Sequence, residues 1–309
     1  MRRLALGLAV AMVTATACGG RSGGGASTAV FVPERAATAG DRLLAKVPAG
    51  AQVLVEIDLA RLRANPVVGP TITEMFAAGL DVPGAGAGAA PGAVGALAAA
   101  PLADARFVIL AAYRVGTASA TTLTIVDGGT RPDAALDLGD GVWALAPEGD
   151  APALIATAGG GASVRGDDAL MAVRASVMPD AADGASLRAA ARLDEVGRAA
   201  LATALGLPAA PAVVSAWGDV ADDLAVRVAL SDGAVVASAR TPTWLSPLKR
   251  LIERAATADA IRALGLAPSI AGTEIERVGA GFQVTLVIGP ARLARAVERL
   301  RAHRGAPPS

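Results

Sequence analysis

Cysteine, histidine and aromatic residues are scarce in this chain, and their scarcity excludes several kinds of site. Among its 309 residues the chain has one cysteine, Cys18, and one histidine, His303. No disulfide can form within it, and zinc sites built from three or four clustered ligands are disfavoured. The four Phe, three Trp and one Tyr are too few for sugar-binding platforms or for aromatic cages. We therefore expect no metal and no cofactor.

Neither sign of charge is in excess. The chain has 28 basic and 28 acidic residues, which gives no electrostatic reason for it to bind nucleic acid. Its glycines do not form the G-x-G-x-x-G pattern, and neither Lys46 nor Lys249 follows the glycine that a Walker A motif requires. Nucleotide chemistry is unsupported, and we expect no nucleic-acid partner.

The N-terminal segment carries the most specific signal in the chain. Arg2 and Arg3 precede an apolar run over residues 4–13, which is too short to span a bilayer, and small residues then lead into Cys18. This arrangement resembles the signal peptide of bacterial lipoproteins. The lipobox would be Ala15-Thr16-Ala17-Cys18, with Ala15 where leucine is usual.

The resemblance implies that residues 1–17 are a signal peptide that is removed from the mature protein. Cys18 would then carry a diacylglycerol thioether, with a further acyl chain such as palmitate on the new amino terminus. The protein would face the periplasm or the cell surface. The residue after the cysteine is Gly19 rather than Asp, which by the same resemblance favours the outer membrane. The alternatives are an ordinary cleaved signal beside a free thiol, and an N-terminus that is apolar by chance.

A flexible lipid-anchored tether is predicted over residues 18–40, because residues 19–28 are half glycine with few apolar side chains. About 20 such residues reach roughly 25 Å as a random coil. Two half-domains follow, at 41–182 and 183–309. An Ala/Gly/Pro-rich loop is expected over 83–102.

Apolar periodicity predicts the secondary structure of both half-domains. Asn65, Asp167 and Ser246 are expected as helix N-caps, and Gly265 as a helix stop. The predicted helices cover 37–46, 66–80, 167–177, 195–205, 247–264 and 290–303. The predicted strands cover 52–59, 106–113, 121–126, 141–145, 153–157, 186–193, 212–217, 224–230, 272–278 and 282–287.

The two halves share this order of elements, with 153–157 matched to 282–287, which suggests duplication of one unit. We therefore predict an α+β fold of two similar half-domains, each of mostly antiparallel sheet with helices packed on one face. In this general pattern the mature region is similar to uncharacterised α+β envelope lipoproteins.

One catalytic pattern is present. Ser246-Pro247-Leu248-Lys249 matches S-x-x-K, the nucleophile motif of penicillin-binding proteins and serine β-lactamases. Those families also need a downstream S-D-N-like element and a K-T-G-like strand, whereas here Ser231-Asp232-Gly233 comes before the motif and no lysine follows Lys249. Capping by Ser246, Pro247 at the first helical position and pairing of Lys249 with Glu253 on a solvated face explain these residues better than catalysis does.

From the sequence we expect a membrane-anchored envelope lipoprotein with a non-enzymatic binding, scaffolding or assembly role and an envelope protein as partner. The alternative is a carrier for a hydrophobic ligand such as a lipid or acyl chain, with the 83–102 loop as a lid. The 53% apolar composition suggests this carrier hypothesis, and an apolar cavity between sheet and helices would favour it. A serine hydrolase using Ser246 and Lys249 is the third hypothesis.

Overall fold

A continuous antiparallel sheet of ten strands runs through the fold. The computed structural model describes residues 38–77, 102–177, 184–232, 242–279 and 281–305. The strands are β1 (Val53–Asp58), β2 (Ala105–Tyr113), β3 (Thr121–Gly128), β4 (Leu136–Asp137), β5 (Val142–Leu145), β6 (Leu187–Arg192), β7 (Val213–Val220), β8 (Leu224–Ser231), β9 (Glu274–Val278) and β10 (Gly281–Ile288). Their order is β4-β5-β3-β2-β1-β6-β7-β8-β10-β9, and every pairing between neighbours is antiparallel.

Ten α-helices are described alongside the sheet, and the α+β class predicted from the sequence is confirmed. The helices are α1 (Ala39–Leu44), α2 (Leu59–Ala64), α3 (Gly69–Ala77), α4 (Ala151–Ala158), α5 (Asp168–Ala175), α6 (Glu195–Leu205), α7 (Leu245–Thr257), α8 (Asp259–Leu264), α9 (Ala267–Ala271) and α10 (Pro290–Gly305).

The strand order is the same in both halves when read outward from the centre. It runs β1-β2-β3-β5-β4 in one direction and β6-β7-β8-β10-β9 in the other. The two halves meet where β1 pairs with β6, with Val55 opposite Ala189 and Glu56 opposite Arg188. The sheet is therefore shared by the two predicted half-domains, and its strand order has the symmetry of a two-fold axis perpendicular to it.

Apolar side chains cover both faces of the sheet. β1 has the consecutive apolar residues Val53, Leu54 and Val55, all buried, and alternation along a strand sends Leu54 to the face opposite the two valines. We call these faces A and B. Face A carries Val53, Val55, Ala189, Ala216 and Val284, and face B carries Leu54, Ile109, Ile125, Ala144 and Ala190.

The helices, predicted to pack on one face, are divided between the two. Leu59 of α2 and Leu245 of α7 join the apolar cluster on face A. Leu44 of α1, Leu154 of α4 and Leu170 of α5 join the cluster on face B. Helices are needed on both faces because the central strand β1 has buried apolar side chains on both of them.

The strand predicted at 153–157 is wrong, because this segment lies within α4. Pro152 stands in the first turn of that helix, where its missing N–H is harmless, and the following alanines favour a helix. The match of this segment to the strand at 282–287 is therefore also wrong. By strand order, β5 beside β3 corresponds to β10 beside β8.

Two further predicted boundaries differ from the structure. The helix predicted over 247–264 is two helices, α7 and α8, separated at Ala258, whose backbone is extended. Ser246 lies inside α7, whose N-cap is Trp244. Asn65 accepts hydrogen bonds from the N–H groups of Val67 and Val68, but the helix after it begins only at Gly69.

Other local predictions are confirmed. Asp167 caps α5 by accepting a hydrogen bond from the N–H of Leu170. Gly265 ends α8 in the left-handed conformation at φ 75°, which glycine adopts without steric penalty. The loop predicted over 83–102 lies outside the described residues except for Leu102.

Candidate functional site

Cys18, the predicted lipidation site, lies outside the described residues. The first described residue is Thr38, 20 positions after Cys18. Thr38 and Asp41 form a capping box at the start of α1, in which Thr38 accepts from the Asp41 N–H and Asp41 accepts from the Thr38 N–H. α1 is therefore a capped helix. We call this helix, its contacts with Glu56 and Arg174, and the turn at 47–49 the entry region.

An ion-pair cluster fixes α1 to the sheet. Arg174 of α5 donates from Nη2 to Glu56 Oε2 at 2.8 Å and lies 2.9 Å, through Nη1, from Asp41 Oδ1. The Glu56 side chain is only 4% exposed and that of Arg174 11%. Burial alone would raise the pKa of Asp41, but hydrogen bonds from Thr38 and the charge of Arg174 lower it below its ordinary value. The cluster therefore connects the first turn of α1 to the central strand β1.

The chain after α1 is held to the segment after α4. The N–H of Ala49 donates to the carbonyl of Ala162, and the N–H of Val164 donates to the carbonyl of Val47. The Tyr113 hydroxyl donates to the carbonyl of Pro48 at 2.8 Å. Burial and the nearby Asp150 raise the pKa of Tyr113 well above its ordinary value, so its hydroxyl stays a donor. As a result α4 is anchored beside the entry region.

A second polar cluster joins the two halves of the sheet. Arg61 of α2 donates from Nε to Asp219 Oδ1 at 2.7 Å, and Ser186 Oγ donates to the same oxygen at 2.7 Å. The Asn65 amide donates to the carbonyls of Val220 and Ala221. Burial raises the pKa of Asp219, but the hydrogen bonds and charge of Arg61 and the bond from Ser186 outweigh it and lower that pKa. The two halves are therefore tied by charge as well as by strand pairing.

We expect acid to weaken the fold through Asp41 and Asp219. A carboxyl group whose folded pKa lies below its ordinary value of 3.8 stabilises the fold above that pH, and this stability disappears as pH falls through the folded pKa. The free energy of unfolding, measured by urea denaturation between about pH 2 and pH 7, should therefore fall below about pH 4. Asp219→Asn should reduce this slope, and Asp222→Asn, an exposed carboxylate in the same hairpin, should not. Equal slopes for both variants would contradict the assignment.

Ser246 and Lys249 both lie on the exposed side of α7. Neither side chain forms a hydrogen bond or an ion pair with another described residue, so the pairing of Lys249 with Glu253 is not formed among them. Within the described ranges, no group of three or more His, Cys, Asp or Glu side chains is arranged to hold a metal ion.

A surface groove of about 590 Å³ lies between the end of α6 and α7. It is open to solvent and lined by Gly206, Pro208, Pro247, Arg250, Glu253, Arg254 and Thr257. Among the described residues, in contrast, large side chains are buried between the sheet and the helices. Trp143, Trp244, Leu59 and Leu102 are all at most 2% exposed on face A, as are Leu44, Leu54, Leu154 and Leu170 on face B.

Sequence reasoning missed the entry region. Glu56 gave a signal, because it is a charged residue inside an otherwise apolar strand, and such a residue needs a buried partner. The sequence offered many arginines as that partner, and only the fold selects Arg174, 118 positions away. In the described part of the chain, none of the helices has the length and apolar character needed to cross a membrane.

No protein-family model matches this chain, and neither does any curated protein. Among solved structures, crystal form I of TP0453 is similar with a TM-score of 0.37 and 10% sequence identity, over 83% of this chain and 96% of that chain. A similarity at this level carries no conclusion about function.

Proposed function

We propose that the protein is a lipid-anchored protein of the bacterial envelope whose folded domain binds or scaffolds a partner without catalysis. The observation that carries the proposal is the N-terminal sequence, in which a basic pair, a short apolar run and small residues lead into the only cysteine. Gly19 after that cysteine supports the outer membrane as the location. The membrane is thus one partner, and an envelope protein is the other.

The entry region supports this proposal because it suits a tethered domain. Thr38, the first described residue, caps α1, and the Asp41–Arg174–Glu56 cluster connects that helix to the central strand. A tether of about 20 residues gives the domain roughly 25 Å of reach from the bilayer surface.

The filled space on both faces favours binding at the surface over transport of a hydrophobic ligand. A carrier of an acyl chain needs an apolar cavity of several hundred Å³, and Trp143, Trp244 and the buried leucines occupy the space where it would lie. The hydrolase hypothesis likewise lacks support, since Ser246 is on the solvent side of α7 and a lysine in contact with it would be needed to take its proton.

Replacing Cys18 by serine tests the anchor. A serine cannot form the thioether, so Cys18→Ser should yield either the uncleaved precursor or protein released from the membrane, whereas Ser22→Ala in the same tether should behave as wild type. The measurement combines membrane fractionation after a high-salt wash with the mass of the N-terminal peptide. If Cys18→Ser were processed and fractionated like wild type, the proposal would be wrong.

A further inference from the structure

Helix α4 presents an apolar surface to solvent. Of its eight residues, Pro152, Ala153, Ile155, Ala156 and Ala158 are exposed, and Ile155 is 60% exposed. Residues 151–162 contain no charged side chain. Among the described helices of eight or more residues α4 alone has no Asp, Glu, Lys or Arg, so its exposed face differs from the charged exposed faces of α7 and α10. An uncharged exposed face of this kind can contact a partner or a membrane surface without desolvating a charged side chain.

The polar groups at the end of α4 are already paired within the protein. The carbonyls of Ile155, Ala156 and Thr157 accept hydrogen bonds from the N–H groups of the three glycines that follow, Gly159 to Gly161. The Thr157 hydroxyl is buried and donates to the carbonyl of Ala153 at 2.9 Å. Three of the last four carbonyls of α4 would therefore add no unpaired acceptor to a low-dielectric contact, whereas Asp150 makes no side-chain capping bond to its first turn.

The charged residue at the other end of α4 is also neutralised. Asp150, immediately before the helix, lies 3.1 Å from the Arg114 guanidinium. The apolar face therefore begins after an ion pair and ends at a glycine turn.

The position of α4 brings it within reach of the lipid anchor. The turn that follows α4 is hydrogen-bonded to Val47 and Ala49, directly after α1, the first described helix. Thr38 is 20 positions after Cys18, and the flexible tether predicted over residues 18–40 would have a reach of about 25 Å. Because the tether holds the domain near the bilayer, even a weak contact is made at high effective concentration.

From these observations we infer that α4 is a membrane-contacting element, which lies with Ile155 in the headgroup region of the bilayer that holds the lipid on Cys18. This inference rests on the proposed function, since it requires the anchor. A second copy of the chain is the competing occupant, but eight helical residues span only about 12 Å, far less than a stable dimer interface needs. An anchored domain needs no such area, which favours the bilayer.

A fluorescent probe on α4 tests the inference in the mature lipidated protein reconstituted into phosphatidylcholine vesicles. Cys18 is the only cysteine and is blocked by its lipid, so Ala156→Cys creates a single free thiol for an environment-sensitive fluorophore. Ala263→Cys, at an exposed alanine of α8, is the matched control. Nitroxide-bearing lipid should quench the probe at position 156 at least about twofold more than the probe at position 263. Adding Ile155→Asp should reduce the quenching at position 156 to the control level.

Each other outcome overturns the inference in a distinguishable way. If the protein floats with the vesicles but positions 156 and 263 are quenched equally, α4 does not contact the bilayer although the anchor is present. If the probe at position 156 is blue-shifted but not quenched, another part of the chain or a second copy covers α4, and the mass of the complex identifies which. If the unlabelled protein does not float with the vesicles, the proposed function fails together with the inference.

Discussion

Replacing Arg174 by methionine is expected to lower the free energy of unfolding by about 3 to 5 kcal/mol. Methionine preserves much of the side-chain volume but removes the charge that Glu56, 4% exposed, and Asp41 both contact. Glu56 would then be a buried carboxylate without its guanidinium partner, which is among the most destabilising changes in a protein interior. Urea denaturation at pH 7, followed by circular dichroism, measures the loss.

Two control variants separate the buried ion pair from general effects of removing an arginine. Arg192→Met removes an arginine that is 47% exposed and 3.6 Å from Asp167, and should change stability by no more than about 1 kcal/mol. The double variant Glu56→Leu with Arg174→Met should recover part of the loss, because it no longer leaves the Glu56 carboxylate buried without Arg174. If Arg174→Met were as mild as Arg192→Met, the cluster would not be the attachment of α1 to the sheet.

Replacing Trp244 by alanine should be similarly damaging, with an expected loss of about 3 to 5 kcal/mol. Trp244 is 1% exposed, at the start of α7, and its ring meets that of Phe282 edge to face with 5.8 Å between centroids. Its indole Nε1 donates to Asp232 Oδ1 at 3.1 Å. The substitution opens a cavity on face A and should shift the urea midpoint without changing the secondary structure at low denaturant.

The variant Trp244→Phe separates packing from hydrogen bonding. Phenylalanine keeps most of the ring contact with Phe282 but loses the donor to Asp232, which retains its ion pair with Arg198 at 3.0 Å. We expect Trp244→Phe to retain at least half of the stability that Trp244→Ala loses. A phenylalanine variant as unstable as the alanine variant would show that the hydrogen bond, rather than the filled core, holds α7 on the sheet.

Elements with one clear apolar period and well-marked ends were predictable from the sequence. α6 was predicted at its observed bounds. In the structure Asp194 caps it and Gly206 ends it in the left-handed conformation, so both ends are marked by residues that suit them. β8 was predicted to within one residue, since its residues suit a strand and turn residues precede it. In these cases the local signals agree with the final fold.

The remaining features depend on contacts that are distant in sequence. Residues 153–157 are apolar without a period that separates strand from helix, so the helix is favoured by Pro152 in its first turn, by its alanines and by packing of Leu154 against face B. The only sign in the sequence that β1 is buried on both faces is Leu54, an apolar residue between Val53 and Val55. The entry region needs Arg174 and Glu56 to be brought together by the sheet, which no local pattern in the sequence encodes. Surface exposure of Ile155 is likewise a property of the fold.

The mass of the mature protein purified from its own membranes is the most direct test of whether Cys18 carries the lipid anchor. We expect the mature protein to begin at Cys18 and to lack residues 1–17. It should carry a diacylglycerol on the sulfur and an acyl chain on the amino group, so that no free thiol can be titrated. A mature protein that begins elsewhere, or one in which Cys18 is a free thiol without lipid mass, would show that Cys18 is not the lipid anchor.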